Sequence, residues 1–371
     1  MAGAWAVGKP PILASAGPAP VLAVAAAGDD HARNRQPPFP HSPRISPVKN
    51  HPTLLGVACA LGAGLAWGLV FVIPLVLIDY PPVLLAVGRY VAFGLIALPL
   101  ALHGRAQLRQ LGRADWWRAL ELAAVGNLAY YALLASAIQR ADAPLPTVII
   151  GTLPIVIAIA ANYSERALAW RRLVPSLLVI AAGIVLVNRE ELARLAATDS
   201  TRSADDLRLG ALLAVGAVLC WTWYPLRNAR WLQARPQLAS GAWATAQGLA
   251  TLPLALLLFA AMSVWPALPT VETAASAPFA WPLGPTPGKF MALMLLIGLL
   301  ASWLGTLLWN RASQLLPTAL SGQLIVFETV SALAYAFIWR GEAPAPITLL
   351  GIALLLAGVV LGARAVRAAT P

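Results

Sequence analysis

The sequence predicts an all-α integral membrane protein whose ten transmembrane helices form two inverted five-helix repeats. Three observations carry this prediction. The 371 residues are 59% hydrophobic and only 11% charged, with a mean hydropathy of +0.73. Ten apolar runs follow one another after a polar start, and the second five echo the first five at a constant spacing.

A soluble domain carries roughly 25% charged residues, so this chain has too little polar surface to cover itself in water. An outer-membrane barrel is excluded, because its strands alternate apolar and polar residues whereas these runs are apolar throughout. The formal charge of +11 does not point to nucleic acid, since the basic residues are spread over interhelical segments and form no single patch. Cys59 and Cys220 both fall inside apolar runs, where a thiol packs as a small side chain. Neither a disulfide nor a metal site is expected.

Residues 1–50 are rich in Ala, Pro and Gly and carry Asp29, Asp30, Arg33, Arg35, Arg44 and Lys49 without helical period. Such a segment buries too little apolar surface to offset its ordering entropy, and a disordered cytoplasmic tail is expected. A secretory leader fits less well, because Pro10, Pro11, Pro18 and Pro20 interrupt its apolar stretch.

The apolar runs span Leu54–Ile78, Pro82–His103, Arg118–Ile138, Pro144–Tyr163 and Leu173–Asn188. After a polar interval with Glu190, Glu191, Asp205 and Asp206 come Leu209–Leu226, Ser240–Ser263, Phe290–Trp309, Ala319–Trp339 and Ile347–Ala363. About 20 apolar residues cross the hydrocarbon core, so each run is a candidate span, the fifth being short. Pro99, Pro154 and Pro253 inside these runs are candidate kinks. Trp116, Trp117, Trp170, Trp231, Trp265 and Trp339 lie near run ends and read as interfacial anchors.

A shift of 154 lays AFGLIALPLAL at 92–102 on AQGLATLPLAL at 246–256, with eight of eleven positions identical. The same shift pairs Gly56, Ala60, Gly62, Ala63, Leu65 and Trp67 with Gly210, Ala214, Gly216, Ala217, Leu219 and Trp221. Matching Leu and Ala is cheap in apolar sequence, whereas coincident Trp, Pro and Gly positions are not, so residues 54–188 and 208–365 are read as two copies. Five spans per copy place the copies in opposite orientations, the inverted repeat of alternating-access carriers.

Orientation follows from the basic residues. With the N-terminus inside, cytoplasmic segments hold 18 of the 26 Lys and Arg, outer segments hold 7, and Arg89 lies within a span. That bias places both termini in the cytoplasm.

Small residues recur at four-residue spacing as Gly56, Ala60, Gly64 and Gly68 on the first helix and Gly298, Ser302 and Thr306 on the eighth. Gly358 and Gly362 form a GxxxG on the last. Such stripes let helices approach within the chain, and the last also offers a homodimer contact.

Two charges lie deep in apolar runs, Arg89 in the second and Glu328 in the ninth. A charge at the bilayer centre costs roughly 2.5–3.5 kcal/mol on insertion scales, so each needs a partner or a watery cavity. Pairing with each other is one solution, and proton or substrate binding at Glu328 is another. Glu121, only a turn inside its run, is assigned no role.

Polar and aromatic residues make further stripes. Asn127 and Tyr131 are four apart on the third helix with Tyr130 beside them, and Trp243 and Gln247 are four apart on the seventh. Gln323, Phe327, Ser331 and Tyr335 form a ladder on the ninth that Glu328 flanks. Aromatic walls with a few polar groups suit a small-molecule pocket, while the plainer use of each residue is hydrogen bonding between helices. The candidate substrate-binding set is Arg89, Asn127, Tyr130, Tyr131, Trp243, Gln247, Gln323, Phe327, Glu328 and Tyr335.

Catalytic signatures are missing: there is no Walker motif, no HExxH and no nucleophile elbow, and His31, His41 and His51 lie in or beside the tail. No catalytic residue and no cofactor is expected. An integral-membrane enzyme and a noncatalytic scaffold or channel remain as alternative classes.

These features resemble the drug/metabolite transporter superfamily in its EamA-like branch, over about residues 54 to 365. The resemblance rests on ten spans in two copies, on Gly56 to Gly68 echoed at Trp221, and on Arg89 early in its span. It also rests on Pro154, Ser164-Glu165 and Gly183, with Phe327-Glu328, Gly341-Glu342, Gly351 and Gly358 in the second copy. The family's usual Glu-Pro step in the ninth helix is here Glu328-Thr329. The resemblance implies a secondary carrier of the cytoplasmic membrane, often an exporter of metabolites; the buried Glu328 adds the expectation of a protonatable group coupled to transport. The resemblance further implies a cavity among the first four helices of each half, with the fifth and tenth helices peripheral.

Reporter fusions test the topology: a fusion after Asn188 is expected outside and one after Pro371 inside. The reverse at either point breaks the inverted arrangement.

Overall fold

The computed structural model describes residues 51–77, 79–141, 144–165, 169–189, 203–264, 279–341 and 343–368. The expected N-terminal tail, the acidic interval around Glu190, and Trp265 lie outside them. Among the described residues ten helices are long and apolar enough to cross a membrane. They are α1 (Thr53–Phe71), α2 (Val83–His103), α3 (Arg113–Ile138), α4 (Leu145–Ser164) and α5 (Trp170–Val187). The second half supplies α6 (Ala204–Gln233), α7 (Ser240–Val264), α8 (Pro287–Leu315), α9 (Thr318–Trp339) and α10 (Pro346–Val366). Uninterrupted apolar runs make them helices, because lipid offers no partner for backbone N–H and C=O and a helix satisfies its own.

Four of these helices are irregular at corresponding places in the two halves. α3 widens to a π-helical turn over Ala123–Ala129 and α8 does so over Gly298–Leu304. α4 is interrupted at Thr152, before Pro154, where the Thr152 hydroxyl caps the Ile149 carbonyl at 2.6 Å. α9 is interrupted at Ile325, three residues ahead of Glu328, so its bend does not depend on a Glu-Pro step. By contrast α2 and α7 run without interruption through Pro99 and Pro253.

The contacts are reciprocal. α1 packs on α8 as α6 packs on α3, and α1 packs on α9 as α6 packs on α4. α2 meets α8 as α7 meets α3, while α2 with α7, α4 with α9 and α5 with α10 each pair with their counterpart. α5 and α10 share the most extensive helix contact, and α10 touches the rest of the bundle chiefly through α9.

Small residues set these crossings, since helices in lipid associate through close packing. A side chain on Gly64 would come within 3.1 Å of the Glu328 backbone nitrogen, and one on Gly68 within 2.9 Å of the Ala332 nitrogen. The α1 stripe is therefore the seat of α9. Gly298 backs onto Ala92 of α2, and Gly248 of α7 onto Ala97 and Phe93. Gly358 of α10 lies against Ile180 of α5, and Gly362 against Gln323 of α9. The GxxxG of the last helix is thus consumed inside the chain. The homodimer contact expected of it is corrected accordingly, because the stripe is covered by α5 and α9. The outward face of α10 presents Leu349, Leu350, Leu356 and Val360 instead.

A methyl group on Gly183 would meet the Gly351 carbonyl oxygen at 2.8 Å and the Leu355 nitrogen at 2.9 Å, both backbone atoms that cannot rotate away. Gly183→Ala is expected to destabilise the protein by about 1–3 kcal/mol. Gly288→Ala, with nothing within 4 Å of the added carbon, should leave it unchanged. Thermal unfolding of the detergent-solubilised proteins compares the two.

Candidate functional site

The interior polar cluster is built by helices from both halves. Arg89 on α2 donates from Nε to the Ser302 hydroxyl at 2.9 Å, and the π-helical turn of α8 carries that serine. Its guanidinium also sits 5.2 Å from the centre of the Tyr90 ring. No ion pair joins Arg89 to Glu328, although the two are near enough to interact electrostatically. Tyr130 lies within the electrostatic reach of Glu328, Tyr90, Tyr131 and Arg89, and Tyr131 within that of Tyr90 and Arg89. Arg89, Tyr130, Tyr131 and Glu328 from the sequence-derived set are therefore brought together.

An aromatic wall adjoins them. Tyr130 stacks on Trp221 with centroids 4.9 Å apart, and Trp221 stacks on Tyr224 at 5.3 Å. Trp67 meets Trp221 edge-on at 5.9 Å and Trp309 at 5.3 Å. Offset and edge-on rings of this kind hold one another in place while leaving faces for a bound molecule.

Asn127 and Gln247 stand behind this wall. The Tyr224 hydroxyl donates to Gln247 Oε1 at 2.9 Å. Asn127 donates to the Thr251 hydroxyl at 3.2 Å, and that hydroxyl donates to the Gln247 carbonyl at 2.7 Å. Asn127 belongs to the π-helical turn of α3 as Ser302 belongs to that of α8. Each wide turn aims a polar side chain at a neighbouring helix, as such insertions often do at functional sites.

The remaining candidates are held elsewhere. Trp243 is fully buried and donates to Asn228 at 2.8 Å, and Asn228 donates in turn to Asn310 at 2.9 Å. This chain of bonds ties α6, α7 and α8 together. Phe327 and Ser331 face Gly64 and Gly68 of α1, and the Tyr335 hydroxyl donates to the Leu65 carbonyl at 3.3 Å. The ladder on α9 is thus largely its contact with α1, which leaves Glu328, on the flank, to meet the cluster. Gln323 is buried against Gly362, its amide without a hydrogen-bond partner among the described residues.

Trp67, Tyr90, Trp221, Tyr224, Ser302 and Trp309 were not among the sequence-derived candidates. The coincidence of Trp67 and Trp221 in the repeat was a usable signal, and Ser302 was visible only as a member of a small-residue stripe. Glu121, given no role above, pairs with Arg118 and lies 3.6 Å from Arg227 of α6. Trp231, expected as an interfacial anchor, is flanked by the guanidiniums of Arg235 at 3.6 Å and Arg118 at 4.8 Å.

Two small cavities adjoin Tyr131, each of about 10 Å³, roughly the space of one water molecule. One is bordered by Val83, Val87, Tyr90 and Leu258, the other by Val70, Ile73, Arg89 and Ile297. Neither of these two cavities has room for an organic solute as it stands.

With this geometry in place, the likeness to known proteins is specific. The EamA-like transporter family matches residues 54–189. Inner membrane protein YtfF of Escherichia coli (strain K12) is 50% identical over 315 residues, which are 84% of this chain and 95% of that protein. A crystal structure of a further protein, 18% identical, superposes with a TM-score of 0.62 over 86% of this chain and 99% of its own. That likeness concerns the fold alone. The chain belongs to the EamA-like transporter family, and so to the membrane transporters of the drug/metabolite type.

The bonds around Asn228 separate scaffold from site. Trp243→Phe removes the donor to a buried oxygen and is expected to lower stability by about 1–3 kcal/mol while solute affinity stays unchanged. Thermal unfolding and transport assays on the same preparation measure both effects.

Proposed function

We propose that this protein is a secondary carrier that moves small organic metabolites outward by alternating access, coupled to protons through Glu328. The observation that carries the reading is the interior cluster of Arg89, Tyr130, Tyr131 and Glu328, to which both halves of the chain contribute. A site between two repeats can face either side of a membrane when the repeats rock about it. The water-sized cavities beside the cluster support such movement, since a solute reaches them only if the helices around them part. On this reading residues 54–188 and 208–365 are the two inverted copies, both termini are cytoplasmic, and the membrane is the inner one. The description of YtfF as an inner membrane protein supports that location. The solute contacts are proposed to be Arg89, Tyr130 and Tyr131, with Glu328 as the proton site beside them and Asn127 and Gln247 holding the aromatic wall from behind.

Flux of a broad metabolite panel into or out of sealed vesicles tests this reading. Saturable, gradient-driven movement of at least one solute is expected from the intact protein, and its absence across the panel sinks the carrier assignment. Glu328→Gln keeps the side chain's shape and hydrogen-bonding capacity, so it should fold normally yet lose pH-driven flux. Undiminished pH-driven flux in the folded variant removes Glu328 from the coupling step.

A further inference from the structure

We propose that Arg89 docks the carboxylate of an anionic solute, with Ser302 as the residue that aims it and Glu328 as the competing anion inside the protein. The inference deepens the carrier reading and rests on it for the delivery of the solute. Arg89 places a guanidinium at depth in the bundle. Its one hydrogen bond among the described residues goes from Nε to the neutral Ser302 hydroxyl. That bond fixes the plane of the guanidinium and leaves the terminal N–H groups unengaged. The terminal N–H groups form the fork that binds a carboxylate through two parallel bonds.

What surrounds the fork selects the ligand. Arg89 borders a cavity whose other walls include Val70, Ile73, Leu85, Tyr131 and Ile297. Among them Arg89 is the single charged side chain. One guanidinium balances one negative charge, so a monocarboxylate fits better than a doubly charged phosphate, which would face Glu328 with charge to spare. The apolar walls and the Tyr130–Trp221 stack suit the organic body of the acid. Glu328 interacts with Arg89 electrostatically without pairing with it. Glu328 and the solute therefore draw on the same cation, and neutralising Glu328 frees Arg89 for the solute, so that solute and proton leave together down the solute's outward gradient.

Ligand-induced thermal stabilisation of the purified full-length protein tests the assignment. The probes are acetate, butyrate and benzoate, with benzamide, benzylammonium and phenyl phosphate as uncharged, cationic and dianionic comparisons. Saturable stabilisation by at least one carboxylate, exceeding that by all three comparisons, is expected. Arg89→Gln should weaken it by about tenfold to a hundredfold. Arg89→Lys, which keeps the charge without the fork, covers the case in which Arg89→Gln does not fold and should weaken it less. Ser302→Ala should weaken it by about threefold to tenfold and Ser302→Thr should restore it, a rescue that a purely packing role for Ser302 would not produce. Glu328→Gln should tighten it. Preference for benzylammonium or phenyl phosphate, indifference to Arg89 substitution, or no response to any carboxylate by folded wild-type protein overturns the proposal. If carboxylates fail while vesicles still move another solute, only the anion assignment falls. If carboxylates bind and no solute moves, the carrier reading falls instead.

Discussion

A guanidinium buried among transmembrane helices has to be surrounded by protein dipoles, because lipid supplies none. Much of the architecture answers that demand for Arg89. The π-helical turn of α8 turns Ser302 toward it, the adjoining Tyr90 ring lies beside it, and tyrosines of α3 lie within its field. A regular α8 would carry Ser302 on a different heading, since one extra residue in a turn rotates every side chain beyond it. The irregular turn is thus the means by which a charge on the first half is met by the second.

Close backbone approach is the other requirement, and it competes with the first for the same helix faces. On α9 the ladder of Phe327 and Ser331 is taken up by Gly64 and Gly68 of α1. Glu328 lies one position off that ladder and reaches the cluster because the ladder itself is occupied. On α6 and α7 a comparable division puts Asn228 and Trp243 into a bonded chain that ends at Asn310 of α8, while Tyr224 and Gln247 support the aromatic wall. Packing contacts and the polar cluster are therefore interleaved along single helices, a turn or less apart.

The parts of the site legible in the sequence were those that violate a local rule. Arg89 and Glu328 stand out because charges are costly in apolar runs, and Tyr130 and Tyr131 because they adjoin a polar residue at helical spacing. Trp243, Gln323 and Tyr335 carried the same kind of signal, yet they bond to the scaffold or lie against a neighbouring helix. Periodicity says that residues share a face, and it does not say which neighbour that face meets. Ser302 gave no signal of its own, since a small hydroxyl reads as packing until a π-helical turn sets its direction.

The sequence by itself determined ten helices, because apolar length is a local quantity that survives without a partner. It also determined that two charges must find company inside the bundle. Only the tertiary structure decided what that company is. The separation of Arg89 from Glu328 and the hydrogen bond to Ser302 depend on how far each helix is rotated about its axis. So does the burial of the GxxxG under α5 and α9. That rotation is set by where glycines allow backbones to touch and where π-helical turns shift the register, and both are properties of helix pairs, absent from any single stretch of chain.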